Sequence, residues 1–336
     1  MNKNKMRTAE YVTPSHPDKV CDQISDAILD ECLKQDKNSR VAVEAMGGHG
    51  KLKLTGEITT GASVDYKKIA KKVYEDCGYD DTIDVETNIS KQSQEISQGV
   101  DVGGAGDQGI MIGYACSDNA LKIPQEYALS RDLAFFIYDK YKVDGKTQVT
   151  MSGESVACIV ASFAEIESSK LEELIEEWIK SENKLFSKED FKDCEIICNP
   201  AGDWSMCGFE ADAGLTGRKI VVDSYGPRVP VGGGAFSGKD ATKVDRSGAY
   251  MARKVALNYL NKFDADQVMV KLGYAIGKPQ PVMKVAYVDN KVIEIDNFDL
   301  TPENIIKSLK LTESKFKDLA RYGHFGRMNL EWEKID

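Results

Sequence analysis

An α+β fold, with mixed or antiparallel sheets carrying helices on one face, is the class predicted by this 336-residue sequence. Two patterns predict it. Segments of strand character come in pairs before a helical stretch, rather than in strict strand–helix alternation. The helical stretches show a 3.6-residue period; in 17–35, Val20, Ile24, Ala27 and Ile28 fall on one face. A composition of 42% hydrophobic and 29% charged residues is that of ordinary globular protein. The length suggests two or three domains.

In chain order, strand character appears at 41–46, 52–60, 109–115 and 149–163, then at 194–199, 219–226, 267–277 and 282–290. Helices are expected over 17–35, 64–77, 124–140, 168–181 and 241–262, with shorter ones at 301–310 and 314–321. Pro17 in the first turn, with Ser15 and Asp18 spaced as a capping box, starts the first helix. Glycine-rich stretches at 99–109 and 232–238 break the pattern, the first as a mobile loop and the second as a ligand loop. No low-complexity segment or short tandem repeat interrupts the chain.

Charge narrows the partners. Lys+Arg 44 against Asp+Glu 54 gives a net charge of −10, which opposes binding to nucleic acid or an anionic membrane. Any phosphate site must then be a local basic cluster. The most apolar stretch, Val156 to Ala161, is far short of the ~20 residues a bilayer requires. No apolar run follows the basic residues of MNKNKMRTAEYV, so no secretory leader is expected. The eight cysteines form no C-x-x-C pair, and such residues usually pack as small hydrophobes. A cytoplasmic location is expected.

Four constellations carry candidate chemistry. Ser15-His16-Pro17-Asp18-Lys19 opens the first helix, where free amides favour an anion, His16 could donate to phosphate and Asp18 could hold a divalent cation. Its bland alternative is simple capping. Gly104-Ala105-Gly106-Asp107-Gln108-Gly109 lets backbone approach a ligand and offers Asp107 to a metal, or else is a tight turn. Gly233 to Lys239 fits G-x-x-x-x-G-K, but Asp240 replaces the Ser/Thr of a nucleotidase loop, leaving a glycine loop with a terminal lysine. Lys243, Asp245 and Arg246 follow it. Finally, Asp212-x-Gly214-Leu215-Thr216-Gly217-Arg218-Lys219 presents two adjacent cations able to grip polyphosphate, with Lys146 as a further one. No base–nucleophile dyad is visible, which suits a substrate nucleophile that needs no deprotonation.

Read together, HPDK (16–19), GEITT (56–60), KQS (91–93), GAGDQG (104–109) and GLTGRK (214–219) resemble the S-adenosylmethionine synthetase family. GGGAFSGKD (232–240), KVDRS (243–247) and YGHFGR (322–327) extend the resemblance in the same order over nearly the whole chain. The resemblance implies three similar two-layer α/β-sandwich domains around a pseudo-threefold axis, at 6–98, 103–205 and 207–334, interleaved at their edges. It also implies a homodimer with active sites at the interface, or a tetramer of such dimers. The reaction it implies joins ATP and L-methionine: the sulfur attacks ribose C5′ and expels triphosphate, which is then cleaved to pyrophosphate and phosphate.

Carried over by motif, His16, Lys146, Asp212, Arg218 and Lys239 are the expected catalytic residues. ATP would be held by those five with Asp144, Trp204, Lys219 and Ala235, and methionine by Glu57, Gln92, Asp212 and Lys243. Two Mg²⁺ per site would fall to Asp18 and Asp107, with Asp245 in the same region, and K⁺ to Glu44. The chain departs from the family pattern in a short Gly99–Gly104 segment, in a short stretch between Pro124 and Lys146, and at Pro14-Ser15, Asp203-Trp204 and Val231. Those departures motivate a second reading, a nucleotide-binding partner subunit without turnover. A third, a nucleotidase-type phosphotransferase, rests on Gly233 to Lys239 alone.

Overall fold

The computed structural model describes residues 6–80, 82–91 and 104–335. Twelve strands are found among them: β1 (Met6–Val12), β2 (Arg40–Gly48), β3 (Lys51–Thr59), β4 (Asp84–Ser90), β5 (Gly109–Cys116), β6 (Gly145–Ser152), β7 (Ser155–Phe163), β8 (Glu195–Cys198), β9 (Gly214–Leu215), β10 (Gln267–Tyr274), β11 (Met283–Val288) and β12 (Lys291–Glu294). Eight helices accompany them: α1 (Pro17–Gln35), α2 (Tyr66–Asp76), α3 (Gln125–Tyr141), α4 (Ser168–Lys180), α5 (Ile220–Asp223), α6 (Val244–Phe263), α7 (Pro302–Ser308) and α8 (Phe316–Tyr322).

The strands make three four-stranded sheets, ordered β1-β6-β7-β8, β4-β3-β2-β9 and β12-β11-β10-β5. The third is wholly antiparallel, while β3/β4 and β7/β8 pair in parallel, so the mixed α+β class holds. The same unit is used three times: a long helix, then a hairpin, as in α1-β2-β3, α3-β6-β7 and α6-β10-β11. In the first two units a second helix returns the chain to a parallel fourth strand, β4 and β8. The remaining strand of each sheet is exchanged cyclically. β1, which precedes the first unit, joins the second unit's sheet; β5 joins the third; β9 returns to the first. This exchange interlocks the three units.

Local sequence accounts for the elements. In α1, Val20, Cys21, Ile24, Ile28 and Cys32 are all fully buried, the stripe expected of a 3.6-residue period. α6 lies on β5 and β10 at close range, and a Cβ on Gly113 would sit 2.1 Å from the Ala252 backbone. Behind it Arg253, fully buried, pairs with Glu333 at 2.7 Å and donates to the carbonyls of Tyr114, Leu121 and Lys122. Glu333→Ala would strand this charge, and a stability loss of about 3–5 kcal/mol is expected in chemical denaturation. A loss under 1 kcal/mol would show that the pair is dispensable.

Three expectations are corrected. The segment 149–163 is not one strand but two that form a hairpin, turning where Gly153 takes φ 63°. The segment 219–226 is not a strand: Val222, Asp223, Ser224 and Tyr225 are all buried in succession, which alternation forbids, and 220–223 closes a single helical turn. Ser15 is not the N-cap of α1. Its hydroxyl donates to Cys77 O at 2.6 Å, and His16 caps instead. β1, β4, β9 and β12 had no sequence expectation; β4 buries only Val85 of its seven residues and so lacks an apolar alternation. All eight cysteines are free thiols. No helix among the described residues is long and apolar enough to cross a membrane.

Candidate active site

The N-terminus of α1 is buried rather than open to solvent, from Ser15 through Lys19. His16 Nδ1 accepts the Asp18 N–H at 3.2 Å, which leaves its proton on Nε2 and makes that atom a donor. Burial, with Lys219 and Lys146 nearby, lowers the His16 pKa to about 3, so the ring is neutral. A depressed pKa makes its contribution to stability present above the unfolded value near 6.5 and lost as pH falls towards 3. The His16 ring C2–H resonance should therefore stay at its neutral position between pH 8 and pH 5. A midpoint near 6.5 would contradict this.

Asp18 gathers the cations of the 214–219 loop. One oxygen accepts from Leu215 N at 2.9 Å and Arg218 Nε at 2.7 Å; the other pairs with Lys219 Nζ. Burial alone would raise this carboxyl, but the Lys219 and Leu215 hydrogen bonds outweigh it and hold the pKa below its usual value. Lys146 stands exposed on β6, opposite Val12, and its charge reaches both His16 and Asp144. Asp144 is pushed up to about 7 by burial, against the pull of Lys146. Asp144 O accepts from Ala164 N, and the next residue, Glu165, donates to Trp204 O at 2.8 Å, so half-buried Trp204 borders this corner. Asp212 is exposed at the loop's start and raises Asp144 further. His16, Asp18, Asp144, Lys146, Trp204, Asp212, Arg218 and Lys219 thus form one group.

A second group surrounds the glycine loop. Gly238 takes φ 79° and passes so close to β2 that a Cβ would lie 1.9 Å from Val43 O. The following residue, Lys239, bridges to Ala42 and reaches Asp245 at 2.6 Å. Asp240 is no solvated charge: it accepts from Val41 N, Thr242 and Lys243. Asp107 is exposed, two residues before Gly109, whose Cβ would be 3.3 Å from Asp245 Oδ1. Glu57 lies across β3 from Ala42, on the face opposite the core. Lys239, Lys243, Asp245, Asp107 and Glu57 make up this group.

Both groups line β2. The first meets it where Leu215 pairs with Met46, the second at Ala42, about 13 Å along the strand at ~3.3 Å per residue. Glu44, exposed, sits between them. The two loops touch at one point, where a Cβ on Gly217 would be 2.6 Å from Ala235 Cβ. Gln92 and residues 99–103 of the short loop lie outside the described residues. Asp203, one of the expected departures from the family pattern, accepts from Ser168 N and Oγ and so caps α4. Among the described residues no three His, Cys, Asp or Glu side chains form a preformed metal cage. Asp22 and Asp26 are not among the expected site residues, although they follow Asp18 at successive intervals of four.

Comparison with known proteins identifies the family. Residues 4–100, 102–204 and 206–334 match the N-terminal, central and C-terminal domains of S-adenosylmethionine synthetase. An S-adenosylmethionine synthase of Mesoplasma florum is 41% identical over 370 residues, covering 99% of this chain and 98% of that protein. That of Clostridium tetani is 41% identical over 380 residues, covering 99% and 97%. A solved structure described as an unusual S-adenosylmethionine synthetase from Campylobacter jejuni superposes with a TM-score of 0.88 at 32% identity, over 98% of this chain and 97% of that one. The chain belongs to the S-adenosylmethionine synthetase family and is a methionine adenosyltransferase.

Proposed function

We propose that the chain makes S-adenosylmethionine by direct attack of the methionine sulfur on ribose C5′ of ATP. The S–C5′ bond forms as C5′–O5′ breaks, and triphosphate leaves with the electron pair. Water then cleaves it to pyrophosphate and phosphate. The single observation that carries this is the pairing of a neutral His16, with its proton on Nε2, with the dense cation set of Arg218, Lys219 and Lys239. A thioether has no proton to lose, so a base is unnecessary. The barrier lies in the polyanionic leaving group, which fixed positive charge stabilises.

His16 Nε2 donates to the departing 5′ oxygen. Lys146, Arg218, Lys219 and Lys239 neutralise the phosphates, and Ala235 lets the glycine loop approach them. Trp204 stacks on adenine beside Asp144. Glu57 and Lys243, with Gln92, take the amino-acid end of methionine, and Asp212 lies between methionine and adenosine.

Asp18, Asp107 and Asp245 carry hard carboxylate oxygens of the kind Mg²⁺ prefers; Asp107 is exposed, while Asp18 and Asp245 are paired with Lys219 and Lys239 and would exchange those partners for the ion. Mg²⁺ sites built on nucleotide use one or two carboxylates with substrate phosphates, so the lack of a three-ligand cage fits two such ions. When bound, Mg²⁺ would add charge stabilisation at the triphosphate. Glu44 offers one carboxylate to K⁺.

The division of cations into two groups on β2 supports a homodimer in which each site takes one group from each subunit; a tetramer would be a pair of such dimers. A net charge of −10 disfavours nucleic acid and anionic membrane as partners, and the enzyme would work in the cytoplasm.

ATP carrying ¹⁸O at the 5′ bridging position tests the chemistry. The label should leave in the polyphosphate products, with none in the adenosyl product. Label retained on the nucleoside would overturn attack at C5′.

A further inference from the structure

α1 carries an aspartate at every fourth position: Asp18, Asp22, Asp26 and Asp30. Four residues turn an α-helix by about 400°, so the row winds roughly 40° per step while climbing about 6 Å. Its members therefore face successive points along the neighbouring stretches of the chain. Each of the four accepts a backbone N–H from outside the helix, the first two from one loop. Asp18 takes Leu215 N, and Asp22 takes Gly217 N at 2.9 Å. Asp26 takes Gly238 N at 2.8 Å, and Asp30 takes Phe316 N and Lys317 N, which open α8.

The two middle contacts fall at informative points. Gly217 and Gly238 both hold positive φ, 83° and 79°, where glycine alone is at ease and the backbone has most freedom to lose. Each directly precedes a phosphate cation, Arg218 or Lys239. Burying an aspartate is costly, yet Asp22 and Asp26 are fully buried. Their charges are matched from the opposite side, Asp22 by Lys19 at 3.0 Å and Asp26 by a two-pronged Arg246. A carboxylate held this way cannot follow the loop outward.

Resting on the proposed reaction, we propose that Asp22, and by the same device Asp26, are positioning residues that pin Gly217 and Gly238 so that Arg218 and Lys239 are aimed at the triphosphate before it binds. They touch no substrate. Asp30 belongs to the same row but holds α8, so it serves as the internal control.

Inorganic tripolyphosphate with Mg²⁺, titrated calorimetrically into the full chain, is the probe, with kcat for S-adenosylmethionine formation as the second readout. Asp22→Ala carries the test because Lys19 keeps Asp223 as a partner at 2.5 Å, whereas Asp26→Ala would strand buried Arg246. Asp22→Ala should weaken tripolyphosphate binding and lower kcat, each by about 10- to 100-fold. Asp22→Asn, which keeps an acceptor for Gly217 N, should recover to within a few-fold of wild type. Asp30→Ala should lower the unfolding midpoint and leave tripolyphosphate affinity unchanged. Wild-type affinity in Asp22→Ala, or equal weakening in Asp30→Ala, would overturn the inference. A wild-type chain that binds no tripolyphosphate would overturn the functional reading itself, and this inference with it.

Discussion

Lys239→Ala is expected to lower kcat by roughly 10²–10³, with the fold intact. Lys239 follows the pinned Gly238 and is only partly exposed, its side chain 22% accessible and its ammonium on Asp245. The bridge to Ala42 holds its backbone and Asp245 its ammonium, so its charge is in position before substrate arrives. In the proposed reaction such preorganised charge would act mainly on the triphosphate as it departs. The loss should therefore fall on kcat and kcat/KM together; a rise in KM alone would mean that Lys239 only holds ground-state ATP. Steady-state formation of S-adenosylmethionine, beside a circular dichroism spectrum, decides this. Activity within threefold of wild type would remove Lys239 from the leaving-group machinery.

Mixing two inactive variants should restore activity. Lys219→Ala damages the first group of cations and Lys239→Ala the second. If each site draws one group from each subunit of a twofold dimer, a mixed dimer has one site with both lesions and one with none. Random exchange makes half the dimers mixed, so recovery should approach about a quarter of wild-type activity. Sites complete within one chain would recover nothing. The measurement is activity after co-refolding or co-expression, against each variant alone.

Much of the fold was legible because its helices are long and amphipathic: the expected 17–35 is α1 residue for residue, and 124–140 and 168–181 lie within a residue of α3 and α4. The strands that escaped notice are polar or very short, such as β4 and β9, and owe their pairing to neighbours rather than to their own alternation. Ile220-Val221-Val222 has the composition of a strand, but no sheet edge receives it, and Asp223 must turn inward to meet Lys19. The threefold repetition of helix and hairpin was legible only through the family resemblance, because the units share topology without sequence periodicity.

At the site, the motifs located the charged residues, but spacing along a chain does not say which of them meet. Only the geometry divides them between the Met46 and Ala42 ends of β2. Capping by His16 was likewise hidden, because Ser15 is the stronger capper by type and is occupied instead by Cys77 O. Asp203 is legible only in space, as the cap of α4.

In the proposed reaction fixed cations drive triphosphate from C5′ under attack by methionine sulfur. Mass spectrometry of purified protein incubated with ATP, Mg²⁺ and K⁺, with and without methionine, tests it most directly. Methionine-dependent S-adenosylmethionine accompanied by pyrophosphate and phosphate is the predicted result. ATP binding with no adenosylated product would contradict it.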